Sequence, residues 1–223
     1  MPELNSQFLD LLAGRDDQME LDAAAVELAR LDHADVDASH VVSTLDSWAA
    51  LVDAELQRGA GGAIFLATVN RVLFQQIRLR GDTTEYDAPE NSCIDRVIEK
   101  RSGMPITLSV VYMEIARRLM RPVYGVALPA HFLCRFDDGL VSVYIDPFDQ
   151  GELLTASDCL DRVEQLTGSR PDDSPLTFAA ATKRQILHRM INNLRNSYYR
   201  RGRNQDALKL SALQQATLRP GLF

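Results

Sequence analysis

The sequence predicts an α+β fold, in which a helical N-terminal region and a C-terminal helix pair flank a core of one central helix on an antiparallel sheet. Two stretches of helical periodicity, before residue 82 and after residue 182, enclose a glycine-marked helix start and three strand-like runs. Blocks of helices next to hairpin-connected strands are typical of the α+β class. We therefore divide the chain into residues 1–82, 83–170 and 176–223, with a linker at 168–175.

The N-terminal region is predicted to contain three helices. Apolar residues recur there at three- and four-residue spacing, which places them on one face of each helix. The second helix is expected to begin at Ser39 or Ser43, and the third to end at Gly81. The predicted buried positions are Leu21, Ala25, Leu28, Ala29 and Leu31, then Val42, Leu45, Trp48, Ala49, Leu51, Val52 and Leu56, then Ile64, Leu66, Val69, Leu73, Phe74 and Ile77.

The middle segment is predicted to begin with a short helix from Ile94 to Arg101. Asn91 or Ser92 is expected to cap it, because their side-chain oxygens can accept the free N–H groups of a first turn. Pro105 suits the first position of the next helix, where its fixed φ is helical and no N–H donor is needed. Strand-like runs follow at 123–128, 131–136 and 141–145, and Asp-Asp-Gly at 137–139 predicts a hairpin turn.

The C-terminal segment is predicted to form two helices. One such pair has about the size of a single tetratricopeptide unit and cannot bury its own apolar face. It must therefore pack on the core or on a partner. The predicted apolar positions are Ile186, Leu187, Met190, Ile191, Leu194 and Tyr198 in the first helix, and Ala207, Leu208, Leu210, Leu213 and Leu218 in the second.

The composition is that of an ordinary soluble globular protein, with 46% hydrophobic and 25% charged residues in 223. A net charge of −7 provides no basic excess, which argues against general binding to nucleic acids or anionic membranes. No apolar run approaches the roughly 18 residues of a membrane-spanning helix, and the N-terminal residues lack the pattern of a signal peptide. Three cysteines without paired spacing fit reduced thiols, so a cytoplasmic protein is expected.

Three motifs in the middle segment predict a functional site. A glycine-marked helix start at 103–105 is followed by His131 on a strand and by Asp146 at the end of the next strand. That is the order of a cysteine–histidine–aspartate acyl-transfer site. The nucleophile of such a site belongs at the helix N-terminus, where the helix dipole lowers the pKa of a thiol. Pro105 stands at that position and has no nucleophilic atom.

Longer motifs around these residues resemble the bacterial SirB-type family, whose members have a transglutaminase-like domain followed by tetratricopeptide helices. The motifs are Asn91-Ser, Arg101-x-Gly-x-Pro-Ile-x-Leu-Ser109, Gly125-Val-x-Leu-Pro-x-His-Phe-Leu and Tyr144-x-Asp-Pro-Phe-x-x-Gly151. The resemblance implies a transglutaminase/papain-like core, in which His131 is the base and Asp146 its orienting partner. It also implies a cleft bordered by Asn91, Arg101, Gly103 and Pro105. Members of this family generally have proline where active relatives carry Gly-x-Cys.

Two residues are alternatives for the missing nucleophile. Ser109 lies one helical turn beyond Pro105 on the same face, although a helix hydroxyl more often bonds a preceding carbonyl. Cys93 is the one cysteine expected to be able to approach the cleft. Cys134 lies three residues after His131 on the same strand, so its side chain is expected to point to the opposite sheet face and into the core, and Cys159 is expected to pack within a helix.

No metal and no cofactor are predicted. His131, Asp146 and a cysteine lack the second histidine or the paired cysteine spacing of a zinc site. His33, His40 and His188 show no pattern of partners, so packing or surface roles are expected for them. The basic cluster at 200–203 is expected to be a solvated helix turn that could bind an acidic peptide or nucleic acid locally.

Three functions fit this sequence. The preferred one is a noncatalytic scaffold that keeps His131 and Asp146 as a remnant pair and binds a peptide or protein in its cleft or through its terminal helices. The second is a cryptic acyl-transfer or peptidase-like enzyme that uses Cys93 or Ser109 with that pair. The third is a small adaptor that acts through the helix pair alone. The sequence leaves the partner and the oligomeric state open.

Overall fold

The computed structural model describes Phe8 and residues 15–218, with the side chains of 212, 213 and 215–218 outside that description. The predicted apolar positions Leu213 and Leu218, and most of the N-terminal residues used to judge a signal peptide, therefore lie outside the described part. Within it, eight α-helices and a four-stranded antiparallel sheet confirm the α+β class. None of the described helices combines the length and apolar composition needed to cross a bilayer.

The N-terminal region forms α1 (Leu21–Ala29), α2 (Ala38–Glu55) and α3 (Gly62–Asn70), and α3 continues into a π-helical turn, Arg71–Gln76. Asp37 caps α2 by accepting a hydrogen bond from the backbone N–H of His40. The helix therefore begins one residue before Ser39, the first of the two predicted starts. The predicted helix end at Gly81 is wrong. Arg78 has a φ of 65°, which breaks the helical path, and the chain then enters β1 (Arg80–Gly81).

Three positions predicted to be buried in this region are exposed. Val42, Leu51 and Ile64 are 37%, 46% and 52% exposed. The buried stripe of α2 instead follows positions separated by three, four and seven residues, which lie on one face of a helix. Its members are Val41, Leu45, Trp48, Ala49 and Val52. Trp48 is part of the core, as predicted.

The core begins with α4 (Ile94–Lys100), and its predicted cap is wrong. Cys93 is the N-cap residue and makes no side-chain cap bond. Asn91 instead lies in a 3-10 turn, Pro89–Ser92, where its side-chain amide donates to the carbonyls of Glu85 and Tyr86. After α4 the chain forms β2 (Ser102–Gly103), which pairs in parallel with β1 and was not predicted.

The central helix α5 (Pro105–Arg118) begins at Pro105, as predicted, and is buried from Pro105 to Ala116. It packs on the sheet, whose strands follow in order as β3 (Val123–Leu128), β4 (His131–Asp137), β5 (Ser142–Asp146) and β6 (Glu152–Leu154). Cys134 is buried in the core, as predicted; it lies on the sheet face toward α5, and its thiol contacts the Ser109 carbonyl. The opposite face packs on α6 (Ala156–Thr167), which buries Cys159 as expected.

The C-terminal segment forms the predicted pair, α7 (Lys183–Arg200) and α8 (Asn204–Leu218). The predicted apolar face of α7 is buried, whereas Leu208 on α8 is 64% exposed, contrary to prediction. The helix α7 packs against α1, α5 and the 3-10 turn at 89–92. Asp16 accepts hydrogen bonds from the backbone N–H groups of Lys183 and Arg184, which ties the start of α7 to the N-terminal region.

Candidate functional site

His131 and Asp146 lie side by side on adjacent strands, in the arrangement that the sequence predicts. His131 opens β4 and Asp146 closes β5, and the His131 Nε2 donates a hydrogen bond to Asp146 Oδ2 over 2.6 Å. Both residues are buried, and Asp146 has no exposed surface. Because Nε2 is the donor, the lone pair of the neutral imidazole lies on Nδ1. The pair therefore holds the tautomer that a general base would need.

Arg162 on α6 is a third member of this site, and sequence reasoning missed it. It forms ion pairs with Asp146 and also with Asp149 and Glu152. Burial raises the pKa of Asp146, but the hydrogen bond from His131 and the positive charge of Arg162 outweigh that effect and hold this pKa below its usual value. Arg162 is the one basic residue in α6, and this is the feature of the sequence that could have identified it as a partner of Asp146.

A tight turn precedes His131, and another follows Asp146. Ala130, immediately before His131, has a φ of 56°, in the left-handed region that non-glycine residues rarely adopt. After Asp146, Gly151 has a φ of 77°, and a Cβ there would lie 2.5 Å from Asn70 Oδ1. The Asn70 amide donates to the Gly151 carbonyl over 2.7 Å. Only glycine fits this turn, because a side chain there would collide with Asn70 of α3.

A cleft made of two adjacent cavities borders His131. We call them the α7 cavity, of about 480 Å³, and the α6 cavity, of about 330 Å³. Tyr86, Pro105, Ala130 and His131 line both of them. Phe148 forms a further wall of the α6 cavity and stands edge-on to the His131 ring, with the ring centroids 6.4 Å apart.

The α7 cavity takes its polar lining from one face of α7. The residues are Gln185, His188, Arg189, Asn192, Asn193 and Asn196. Arg189 donates to the backbone carbonyls of Leu128 and His131 over 2.6 and 2.8 Å. Burial lowers the pKa of Arg189, and burial together with the charge of Arg195 lowers the pKa of His188. The His188 Nε2 is buried without a hydrogen-bond partner among the described residues.

Among the four residues predicted to border the cleft, Pro105 lines both cavities. Asn91, Arg101 and Gly103 are not part of either lining. Asn91 is buried, and its carbonyl accepts a hydrogen bond from the backbone N–H of Met104 over 3.3 Å. Arg101 ends α4 with a φ of 54°, and Gly103 lies against the Val97 side chain. These three residues position the start of α5, while Pro105 meets the cleft.

The two alternative nucleophiles form no hydrogen bond with His131 in the described part of the chain. The Cys93 thiol donates to the Pro89 carbonyl over 3.5 Å, and burial and nearby carboxylates raise its pKa well above the usual value. Ser109 is fully buried, and its Oγ has no hydrogen-bond partner among the described residues. The expected bond from the Ser109 hydroxyl to a preceding carbonyl is therefore wrong.

Two expectations about other polar residues also change. His33 does have partners: its Nε2 lies 2.6 Å from Asp95 Oδ2, and its Nδ1 lies 3.5 Å from Asp32 Oδ2. The basic cluster at 200–203 is largely exposed, as expected, but its arginines pair with acidic side chains elsewhere in the fold. The pairs are Arg200 with Asp87, Arg201 with Glu85, and Arg203 with Asp32 and Asp206.

Comparison with known proteins places the fold in a family. The family model of the Transglutaminase-like superfamily matches residues 39–192, from α2 into α7. A UPF0162 protein of Xylella fastidiosa is 37% identical over 188 residues, which cover 82% of this chain and 66% of that protein. A UPF0162 protein of Pseudomonas aeruginosa is 32% identical over 121 residues, which cover 54% of this chain and 44% of that protein.

A eukaryotic protein is also similar. F-box only protein 21 of Mus musculus is 30% identical over 149 residues, which cover 63% of this chain and 23% of that protein. The chain thus spans just under two thirds of the Xylella relative and less of the others. No solved structure matches this chain. Because the family match covers most of the sequence and includes Pro105, His131 and Asp146, the chain belongs to the transglutaminase-like superfamily.

Proposed function

We propose that this protein is a noncatalytic member of the superfamily that binds a peptide segment of a partner protein in the cleft beside His131. The observation that carries this proposal is the position of Pro105. It is the first residue of α5 and lines both cavities together with His131. A base oriented by a carboxylate has no nucleophile to activate at that helix start. The cleft, in contrast, has the size of a ligand site, since binding cavities are commonly about 300–1,000 Å³.

The charge of the α7 cavity indicates which peptides it accepts. The chain has 31 Asp and Glu residues, yet neither type occurs among the described residues that line this cavity. Arg189 supplies a positive charge whose hydrogen bonds go to backbone carbonyls, and no carboxylate of the described residues pairs with it. An anionic group on the ligand would balance it. We therefore propose a peptide that carries a carboxylate, either at its C-terminus or on an acidic side chain.

The amide side chains of α7 support a peptide ligand in particular. Each Asn or Gln amide offers both donors and an acceptor, which match the N–H and C=O groups of a peptide backbone. The His188 Nε2 adds a buried polar atom without a partner. In this proposal His131, Asp146 and Arg162 hold the shape of the opposite wall rather than move a proton.

We also propose a finer family assignment. In it the chain is a SirB-type protein that divides into residues 1–82, 83–170 and 176–223, and the α7–α8 pair is tetratricopeptide-like. The contacts of α7 support a role in the cleft itself, because this helix packs on α5 and lines the α7 cavity. We infer that the helix pair acts together with the core, in place of the separate adaptor arm considered above.

The test is binding of defined peptide pools, followed by NMR of the side-chain amides of Asn192, Asn193 and Asn196. One pool of short peptides has free C-terminal carboxylates and acidic residues, and the second is amidated and uncharged. We expect signals of the cleft to shift with the acidic pool only. Asn196→Asp adds a negative charge to the cleft and should weaken binding about tenfold, the effect of roughly 1.4 kcal/mol.

Gln57→Glu is the matched control, because it makes the same change of charge at an exposed position outside the cleft. Equal shifts with both pools, or equal losses in both variants, would contradict the proposed charge preference. A covalent acyl adduct on this protein, detected by mass spectrometry after incubation with peptide esters or amides, would overturn the noncatalytic function.

A further inference from the structure

A second histidine–aspartate pair lies in a cluster apart from the cleft. His33 is in the loop between α1 and α2, and Asp95 is in the first turn of α4. The His33 Nε2 lies 2.6 Å from Asp95 Oδ2, and the side chains of the two residues are 16% and 15% exposed. A histidine that donates Nε2–H to a carboxylate keeps its lone pair on Nδ1.

The His33 Nδ1 faces two further ligand-type groups. It is buried, and it makes no hydrogen bond within the described part of the chain. It lies 3.5 Å from Asp32 Oδ2. The Cys93 Sγ completes the group, since the ligand atoms of Asp32, His33 and Cys93 all lie within 4.8 Å of one another. One nitrogen, one sulfur and one oxygen atom thus lie close together in one cluster.

Asp32 is held so that one of its oxygens is available. Its Oδ1 accepts hydrogen bonds from the Tyr198 hydroxyl and from Arg203, each over 2.8 Å. Its Oδ2 takes part in neither bond and lies 3.5 Å from His33 Nδ1. Tyr198 and Arg203 therefore orient this carboxylate much as Asp95 orients the imidazole, and groups that hydrogen-bond metal ligands act in this way at metal sites.

We propose that Asp32, His33 and Cys93 form a zinc site, with a water molecule as the fourth ligand. A borderline-soft ion such as zinc accepts imidazole, thiolate and carboxylate together. Bonds of about 2.0–2.3 Å in a tetrahedron place ligand atoms about 3.3–3.8 Å apart, so the distances between ligand atoms need to shorten by at most about 1.5 Å. On binding, the Cys93 thiol releases its proton to solvent and its sulfur coordinates the ion as thiolate.

A zinc site explains this cluster better than a second acyl-transfer site does. Cys93, His33 and Asp95 have the composition of a catalytic triad, but Cys93 has no exposed surface. A peptide substrate cannot reach a thiol in that position, whereas an ion can enter past Asp32 and His33, which are 12% and 16% exposed. Zinc there would join the α1–α2 loop to the start of α4, next to Tyr198 of α7.

The test uses the full chain, stripped of metal with a chelator and then titrated with Co²⁺. We expect a thiolate-to-cobalt charge-transfer band that saturates at one ion per chain and disappears when Zn²⁺ is added. Cys93→Ser should abolish this band. Cys159→Ser, a substitution at another fully buried cysteine, should leave it unchanged. Asp95→Asn should weaken zinc affinity about 10–100-fold, the usual effect of changing a group that hydrogen-bonds a metal-ligating histidine.

Two results would overturn the site: absence of the band in the wild-type chain, or a band of equal strength in Cys93→Ser. Circular dichroism of the metal-free variants checks that each one folds. If Cys93→Ser does not fold, His33→Gln tests the same ligand set, since it removes the proposed nitrogen ligand and keeps the cysteine. A band that survives His33→Gln unchanged would equally exclude the site.

Discussion

The chain contains two histidines that each bond an aspartate through Nε2 over 2.6 Å, and the two pairs differ in what surrounds them. His131 lines a cleft that Pro105 also lines, and its partner Asp146 is fully buried. His33 and Asp95 adjoin a thiol and a second carboxylate, with the thiol fully buried. A ligand can thus reach the histidine of the first pair, but no nucleophile stands beside it. The second pair has a thiol beside it, but a substrate cannot reach that thiol.

This difference shows that a histidine–aspartate pair does not by itself define a chemistry. In both places the carboxylate fixes the imidazole tautomer and leaves Nδ1 as the basic atom. The third group then decides the outcome. Beside a proline, the histidine of the pair lines a proposed binding cleft, and beside a buried cysteine and a carboxylate the histidine becomes a ligand of a proposed metal site.

The largest expected effect is a loss of stability, which should be greater for the more deeply buried pair. Asp146→Ala leaves His131 and Arg162 without their shared anion, and breaking a buried charged pair in this way costs about 3–5 kcal/mol. Asp146 has no exposed surface, whereas the Asp95 side chain is 15% exposed. We expect Asp95→Ala to lower the free energy of unfolding by only about 1 kcal/mol. Urea unfolding at pH 7 measures both, and equal losses would mean that the pairs do not differ in this respect.

The same pair predicts a specific dependence of stability on pH. The pKa of Asp146 is lower in the folded than in the unfolded chain, because His131 and Arg162 outweigh its burial. Its contribution to stability is therefore complete above the unfolded pKa of about 3.9 and is lost as the pH falls through the folded-state pKa.

Unfolding of the wild type and of Asp146→Asn at a series of pH values measures this contribution. We expect a constant difference in the free energy of unfolding from neutral pH down to about pH 4, and a decrease below that. A difference that already shrinks between about pH 7 and pH 5 would show that the carboxylate takes up its proton near neutrality, contrary to the lowered pKa.

Pro105→Cys gives the first pair the thiol that the second pair already has. The new thiol would lie at the N-terminus of α5 and in the lining shared with His131, and both surroundings lower a thiol pKa. At pH 7 an unperturbed thiol is about 3% ionised. With a pKa near 7 the new thiol would be about half ionised, and we expect it to react with iodoacetamide roughly tenfold faster than an unperturbed thiol.

Mass spectrometry identifies the alkylated cysteine. Cys93, Cys134 and Cys159 have no exposed surface and provide a slow background in the same chain. In the double variant Pro105→Cys, His131→Gln the rate should fall back toward that of an unperturbed thiol. A rate that does not depend on His131 would mean that the imidazole does not influence the start of α5.

Sequence reasoning reached the elements that short-range signals specify. Pro105 marked the start of α5, and Asp-Asp-Gly at 137–139 marked the turn between β4 and β5, because each residue type has a local conformational preference. The strand β2 could not be predicted from local sequence, because its two residues are held by pairing with β1 about twenty positions earlier. The cap of α4 was missed because Asn91 bonds the carbonyls of Glu85 and Tyr86 instead.

In the candidate site, too, contacts between neighbouring elements could be predicted and contacts between distant segments could not. The sequence placed His131 and Asp146 on neighbouring strands, since alternation and a hairpin bring them together. Arg162 comes from a helix 16 residues further on, and only the packing of α6 on the sheet brings it to Asp146. The cluster of His33 and Cys93 joins segments that are sixty residues apart, and a lone histidine in a loop carries no signal of such a partner.

The smallest expected effect concerns the group that orients Asp32. Tyr198→Phe removes the hydroxyl that donates to Asp32 Oδ1 and keeps the buried ring, so it should cost about 1 kcal/mol, the usual worth of one hydrogen bond. Tyr199→Phe is the matched control, because that side chain is 44% exposed. Urea unfolding of the metal-free chain measures both variants. Since Arg203 still holds Asp32, a loss in Tyr198→Phe no larger than in Tyr199→Phe would show that the arginine alone orients the carboxylate.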